Sequence, residues 1–127
     1  MTTSIPAEIA GLGDELGTLA PGRQADLLVL KSSNKSAFAT VLSAGPAEVE
    51  LVVVGGTPMY GDGSLMAKLL PKANLEALSI CGAEKALYMG DIPAARSAAK
   101  ESFAKIRLRL NDALRNSGTM LGPFECQ

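Results

Sequence analysis

The sequence contains no histidine and no tryptophan, and aromatic residues make up only 4% of its 127 residues. Histidine is the side chain that most often serves as a general base or a metal ligand near neutral pH. A chain without it is a poor candidate for a Cys–His nucleophile or for a zinc site built from imidazole nitrogens. We therefore expect no catalytic, cofactor-binding or metal-binding residue in this chain alone.

Long apolar runs and a strong charge of either sign are also missing. No apolar segment approaches the roughly 20 residues that span a bilayer, and the N-terminal residues lack the basic and apolar regions of a signal peptide. The formal net charge of -1 gives no electrostatic reason to expect a nucleic acid or an anionic membrane as partner. These observations predict a cytoplasmic protein with neither kind of partner.

The two cysteines, Cys81 and Cys126, lie far apart and do not form the pattern of a disulfide framework. Cys81 lies in an apolar run and is interpreted as a small buried hydrophobic residue, and Cys126 as an exposed free thiol. A reducing compartment suits such a pair. Without a histidine to act as base, neither thiol is expected to be catalytic.

The sequence does contain short apolar segments separated by glycine and proline, which predict strands at 25–30, 49–54, 57–60, 75–81 and 85–89. Gly55-Gly56 predicts a two-residue hairpin turn, and the last two strands form a second pair around Gly82-Ala83. Pro58 lacks an N–H, so its strand should lie at an edge or pair only partly. The structure of residues 37–45 is ambiguous from the sequence.

Helical segments flank these strands, with a helix end predicted over 3–11 and one or two turns over 64–70. A long helix is predicted from Pro93, a residue that suits a first helical position, to about residue 118. Its apolar residues recur at spacings of three and four and form one stripe, namely Ala99, Phe103, Ile106, Leu110 and Leu114.

The fold class predicted from this order is α+β. We expect a single domain over 1–127, in which residues 1–90 form a small β-sandwich or half-barrel of short strands with a leading helix. Residues 91–118 would form the long C-terminal helix, and residues 119–127 an irregular tail.

Three features tempt a functional interpretation. Asp26 could act as a general base. The favoured interpretation is that its carboxylate accepts hydrogen bonds from backbone N–H groups around the Pro21-Gly22 turn. The run 11–17 has the spacing G-x-G-x-x-x-G and follows a helix end, so it fails the test for a dinucleotide loop. The basic residues of the long helix are interrupted by Glu101 and Asp112 and read as a solvated face, not an RNA-binding one.

Two segments carry a family likeness. Residues 17–30 (GTLAPGRQADLLVL) fit the pattern G-x-L-x-P-G-x-x-A-D followed by a hydrophobic run, and residues 52–61 (VVVGGTPMYG) fit V-x-V-x-G-x-x-V/M-Y. With the helix-like residues 4–16 before them, they resemble the C-terminal region of metal-dependent amidohydrolases such as imidazolonepropionase, dihydroorotase and cytosine-deaminase-like enzymes. The resemblance covers residues 4–61. Lys31, where the family commonly has an acidic residue, is a minor departure.

The resemblance implies a composite β-sandwich that flanks a (β/α)8 barrel. It also implies a divalent metal, with zinc as the first candidate, held by histidines of that barrel. The barrel and its His-x-His pair are absent here, so no metal ligand or catalytic residue carries over. The implied parent activity is metal-dependent hydrolysis of non-peptide C–N bonds, to which this chain would contribute structure.

Two alternatives stay open, a stand-alone binding or oligomerisation module without chemistry, and a chain complemented by a partner that supplies the barrel. If the family sandwich is normally completed by N-terminal strands, their absence leaves open strand edges. We therefore expect a homodimer or larger homo-oligomer.

Overall fold

The computed structural model describes residues 3–32, 36–90, 101–122 and 126. Its helices and strands confirm the α+β class. In chain order they are α1 Ser4–Ile9, β1 Leu27–Leu30, α2 Ala37–Ser43, a 3-10 turn Pro46–Glu48, β2 Val49–Val54, β3 Thr57–Asp62, α3 Gly63–Leu69, β4 Leu75–Ile80, β5 Ala83–Tyr88 and α4 Phe103–Asn116.

The five strands form one antiparallel sheet with the order β1-β2-β3-β5-β4. Strand β5 is antiparallel to both β3 and β4. Strands β3 and β4 therefore run in the same direction, and α3 lies in the connection between them. The second sheet that a sandwich requires is not present in the described residues.

Both hairpins turn on two residues with positive φ. Gly55 and Gly56 have φ values of 55° and 82°, and Cys81 and Gly82 have 51° and 79°. Positive φ at both central positions defines the type I′ turn, whose twist matches that of the flanking strands. The turn predicted at Gly55-Gly56 is confirmed. The second turn lies at Cys81-Gly82, one residue before the predicted Gly82-Ala83. The sequence does not indicate this position, because cysteine does not normally favour positive φ.

Strand β3 lies inside the sheet, yet its proline is accommodated because its pairing is incomplete. On one side Pro58 lies opposite Val53, next to a bulge at which the register shifts by one residue. On the other side only Tyr60, Gly61 and Asp62 pair with β5, so the missing N–H of Pro58 falls where that ladder has ended. The expectation that this strand would pair only partly is confirmed.

The buried core is small, and it draws on α3 and three of the strands. Met66 of α3 is fully buried at 0% exposure, and it is joined by Val53, Ile80 and Ala86 from three strands. Helix α3 contacts β3, β4 and β5. It therefore covers the half of the sheet that the β3–β4 crossover spans.

Residues 37–45, left open by the sequence, contain helix α2. The Ser36 hydroxyl accepts a hydrogen bond from the Ala39 N–H at 3.3 Å and caps the helix. The helix ends before Gly45-Pro46. Its apolar side chains are mostly solvent-exposed, since Phe38, Val41 and Leu42 all count among the exposed large hydrophobic residues.

The C-terminal helix begins later than predicted. The predicted start at Pro93 lies outside the described residues, and α4 itself starts at Phe103 because Ser102 is extended and caps it through the Lys105 N–H. The Glu76 carboxylate of β4 accepts bonds from the N–H groups of Phe103 and Ala104 at 2.8 and 3.3 Å. A carboxylate is favourable there because the helix N-terminus carries partial positive charge.

The apolar stripe of α4 faces β4 across an open groove of about 540 Å³. Ile106 and Leu110 line it together with Leu78 and Ile80. No side chain of α4 is buried. Among the described residues, no helix is both long enough and apolar enough to cross a lipid bilayer.

Gly61 predicts a sharp stability effect. A Cβ atom at this position would lie 2.5 Å from the Glu50 carbonyl oxygen of β2, whereas one at Gly63 would lie 3.7 Å from its nearest neighbour, Glu84 O. Gly61→Ala should therefore lower the free energy of unfolding by about 1–3 kcal/mol through overpacking. Chemical denaturation measures this, and Gly63→Ala is the matched control. Equal stabilities of the two variants would contradict the close approach.

Candidate functional site

The loop after α1 folds back on itself and fixes the start of β1. The Arg23 guanidinium donates to the Gly13 carbonyl oxygen, and the Gln24 N–H donates to the Glu15 carbonyl oxygen at 3.0 Å. Gly17, with φ of 90°, passes so close to α1 that a Cβ there would lie 2.9 Å from the Thr3 carbonyl oxygen. The loop thus delivers Ala25 and Asp26 to the end of the β2–β3 hairpin.

At that point the two segments that carry the family likeness meet. An Asp26 carboxylate oxygen accepts a hydrogen bond from the Gly55 N–H at 2.6 Å. The Ala25 carbonyl oxygen accepts one from the Gly56 N–H at 3.0 Å. The Ala-Asp pair of the first motif therefore holds the Gly-Gly turn of the second, and we call these four residues the Asp26 clasp.

The clasp corrects the expected partner of Asp26. Its carboxylate does accept a backbone N–H, but the donor is Gly55, 29 residues away, and not the Pro21-Gly22 turn. A contact between residues this distant in sequence could not be inferred from local turn chemistry. The geometry supports a structural use of the carboxylate and provides no partner that would make it a general base.

A buried lysine is the feature that the sequence analysis missed. Lys85 of β5 is only 3% exposed, and its ammonium donates to the Val49 carbonyl oxygen at 2.8 Å and to the Asp62 carboxylate. A buried charge is tolerated only when it is paired and hydrogen-bonded. Lys85 therefore ties β5 to β3 and, across it, to β2. The alternation of polar and apolar residues in β5 is typical of an ordinary strand with a solvated lysine. The sequence therefore contains no signal for this contact.

Tyr60 lies next to this ion pair. Its hydroxyl donates to the Pro46 carbonyl oxygen at 3.2 Å and connects β3 with the 3-10 turn. Partial burial and, to a smaller extent, the negative charge of Asp62 raise the pKa of Tyr60 above its usual value of 10.0. Both causes disfavour the tyrosinate, so Tyr60 is a hydrogen-bond donor and not a base near neutral pH.

An open apolar groove of about 560 Å³ runs along one face of the sheet. It crosses all five strands, and helix residues close two of its sides. Its lining includes Leu28, Leu30, Val41, Val52, Tyr60, Leu78, Ile80, Leu87 and Phe103. The lining is almost wholly apolar, so the groove offers surface for packing and no group for acid–base chemistry.

The cysteines differ from the prediction. Cys81 and Cys126 form a disulfide, with Cα atoms 5.4 Å apart, so Cys81 is not a buried hydrophobic residue and Cys126 is not a free thiol. The prediction failed because the pairing depends on where the tail lies, which local sequence does not encode. Since disulfides persist mainly in oxidising compartments, the cytoplasmic expectation loses the support it drew from free thiols.

The divalent metal implied by the family resemblance does not fit the residues present. In the described parts of the chain, no three His, Cys, Asp or Glu side chains are grouped so that they could hold an ion. The chain has no histidine, and the disulfide consumes both thiols that could have acted as thiolate ligands. We therefore derive no metal-dependent step from this chain.

Comparison with known proteins finds a match that covers all four residues of the Asp26 clasp. Residues 1–59 match the amidohydrolase family. Over these residues the chain is similar to that family. The predicted resemblance is thereby confirmed over nearly the same residues, although the described chain forms a small sheet and no (β/α)8 barrel. No curated protein and no solved structure gives a significant match.

The segment that matches the family contains α1, β1, α2, β2 and the first part of β3, and it ends before Asp62. Strands β4 and β5 follow it, yet they continue the same sheet. The contacts of Lys85 with Val49 and Asp62 join the segment to the later half of the chain.

The Asp26 clasp predicts a measurable contribution to stability. Asp26→Ala should leave the Gly55 N–H without its acceptor and lower the free energy of unfolding by about 1 kcal/mol, a typical net value for one hydrogen bond near the surface. Urea denaturation compares this variant with Asp14→Ala, which removes an exposed carboxylate from the preceding loop. A loss of stability no larger than that of the control would refute the clasp.

The pKa of Tyr60 predicts a pH dependence. Because the folded-state pKa is raised, the associated stability is fully present below the unfolded value and is lost as pH rises through the folded value. In Tyr88→Phe, which leaves Tyr60 as the one tyrosine, tyrosinate absorbance should show a midpoint above 10.0.

Adding Asp62→Asn to that variant should lower the midpoint only part of the way, because burial is the larger cause. The circular dichroism spectrum must stay unchanged for this comparison, since Asp62 also pairs with Lys85. A midpoint at or below 10.0 in the Tyr88→Phe protein would contradict the environment described for Tyr60.

Proposed function

We propose that this chain is the C-terminal structural portion of an amidohydrolase-like protein and has no catalytic activity of its own. The observation that carries the proposal is the Asp26 clasp, in which the two family motifs hold each other by backbone and carboxylate hydrogen bonds. The motifs thus serve to close a sheet. That role is architectural, and it requires no reacting group.

The parent activity under this proposal is metal-dependent hydrolysis of a non-peptide C–N bond, as in the opening of a cyclic amide or the deamination of an amidine. Such chemistry needs a metal-activated water, and zinc sites that supply it use about three protein ligands. The donor set of this chain does not meet that requirement. A barrel, on the same polypeptide or on a partner chain, would have to provide the ligands.

A second candidate function is that of a stand-alone binding or oligomerisation module descended from such an enzyme. The open apolar groove on the sheet favours it, because exposed apolar surface of this kind marks a site of association. This candidate differs from the first in one respect, namely that no barrel would exist.

Activity measurements test the absence of catalysis. The purified chain, preincubated with zinc, manganese or cobalt, should hydrolyse neither cyclic amides such as dihydropyrimidines and hydantoins nor aminopyrimidines. Equilibrium dialysis should find no stoichiometric zinc bound to the folded, disulfide-bonded protein. Metal-dependent turnover that co-purifies with the chain and is abolished by a chelator would overturn the proposal.

The reading frame upstream of the Met1 codon distinguishes the two candidates. An in-frame region encoding a His-x-His pair and barrel-like strands supports the hydrolase portion, and activity should then be sought in the longer chain with metal. A stop codon and a ribosome-binding site directly before Met1 support the stand-alone module instead. The hydrolase relationship would then describe ancestry alone.

A further inference from the structure

The two edges of the sheet differ in how they are protected. At one edge β4 carries Glu76, whose carboxylate is engaged by the N-terminus of α4. Phe103 and Ile106 of that helix lie beside the strand. A charged residue and a covering helix are two devices by which proteins prevent strands from pairing at an edge.

At the other edge β1 has neither device. Its four residues, Leu27–Leu30, are all apolar, and its backbone pairs with β2 on one side only. On the outer side, no backbone hydrogen bond joins these four residues to any other part of the described chain. Alternate N–H and C=O groups along a strand point to each side, so this edge presents free donors and acceptors.

The surroundings of β1 leave room for a further strand. A groove of about 630 Å³ lies along β1, and Leu16, Leu19 and Val41 of α2 are among the residues that line it. Leu28 is 60% exposed and lines both this groove and the groove on the sheet face. A strand added at β1 would therefore cover apolar side chains as well as satisfy backbone groups.

The charges at the ends of β1 identify which strand fits. Asp26 precedes the strand and Lys31 follows it, and both side chains are exposed. In an antiparallel pair of identical strands, the acidic end of one lies beside the basic end of the other. A parallel pair would bring like charges together. The edge is thus complementary to itself in the antiparallel arrangement, which is the one that a two-fold axis produces.

We propose that two copies of this chain associate through antiparallel pairing of their β1 strands, which joins the two sheets into one of ten strands. The pairing satisfies the free backbone groups of both copies. It also extends the apolar face across the two-fold axis, where the Leu28 side chains of the copies come close together. The partner is a second copy of the same chain.

Sedimentation velocity of the complete 127-residue chain across the micromolar range tests the proposal. The wild-type protein should be dimeric. Leu28→Lys places a charge on the apolar edge and should weaken dimerisation at least about tenfold, which corresponds to about 1.4 kcal/mol. Leu108→Lys is the matched control, because Leu108 of α4 is also exposed, at 64%, and it should leave dimerisation unchanged.

Two further measurements address the geometry. Amide hydrogen exchange of residues 27–30 should slow as protein concentration rises, while that of β4 should not change. Lys31→Glu, which makes both ends of β1 acidic, should weaken the dimer, and the effect should diminish at high salt because exposed charges are screened. Unchanged circular dichroism in each variant shows that the fold is retained.

Three results would overturn the proposal. The first is a monomeric wild-type protein throughout the micromolar range. The second is dimerisation of Leu28→Lys as strong as that of Leu108→Lys. The third is concentration-dependent protection at β4 in place of β1, which would put the contact at the other edge.

Discussion

The buried ammonium of Lys85 constrains the centre of the sheet. Lys85 is only 3% exposed, so its charge must be paired. Its partners, the Val49 carbonyl and the Asp62 carboxylate, belong to two other strands. Strands β2, β3 and β5 can therefore occupy only positions in which these groups converge. The two edge strands are positioned relative to these three. Strand β1 pairs with β2 and is held to the β2–β3 turn by the Asp26 clasp, and β4 pairs with β5.

Lys85 also links the segment that matches the amidohydrolase family, residues 1–59, to the rest of the sheet. The family likeness stops before β4 and β5. The hydrogen bond from Lys85 to the Val49 carbonyl oxygen crosses this boundary, and the ion pair with Asp62 holds β5 beside β3. The later half of the chain thus completes the sheet that the family segment begins, and α3 covers the crossover between them.

Sequence predicted those features that depend on neighbouring residues. The Gly55-Gly56 turn and strand β2 were predicted from local backbone preferences and from the apolar pattern. The two family motifs were recognised from their residues alone. Features that depend on distant partners were not predictable. The donor to Asp26 lies 29 residues away, the partner of Cys81 lies 45 residues away, and the burial of Lys85 depends on two other strands. Helix α4 begins at Phe103 because Glu76, from another element, reinforces the Ser102 cap.

The bond between Cys81 and Cys126 makes residues 81–126 a covalently closed ring. Helix α4 lies within this ring and is attached to the sheet at its N-terminus through Glu76, so the chain beyond it returns to the β4–β5 turn. A protease that cuts the backbone once between these cysteines would open the ring without releasing a fragment. The product would be a two-chain molecule whose pieces separate on a denaturing gel only after reduction.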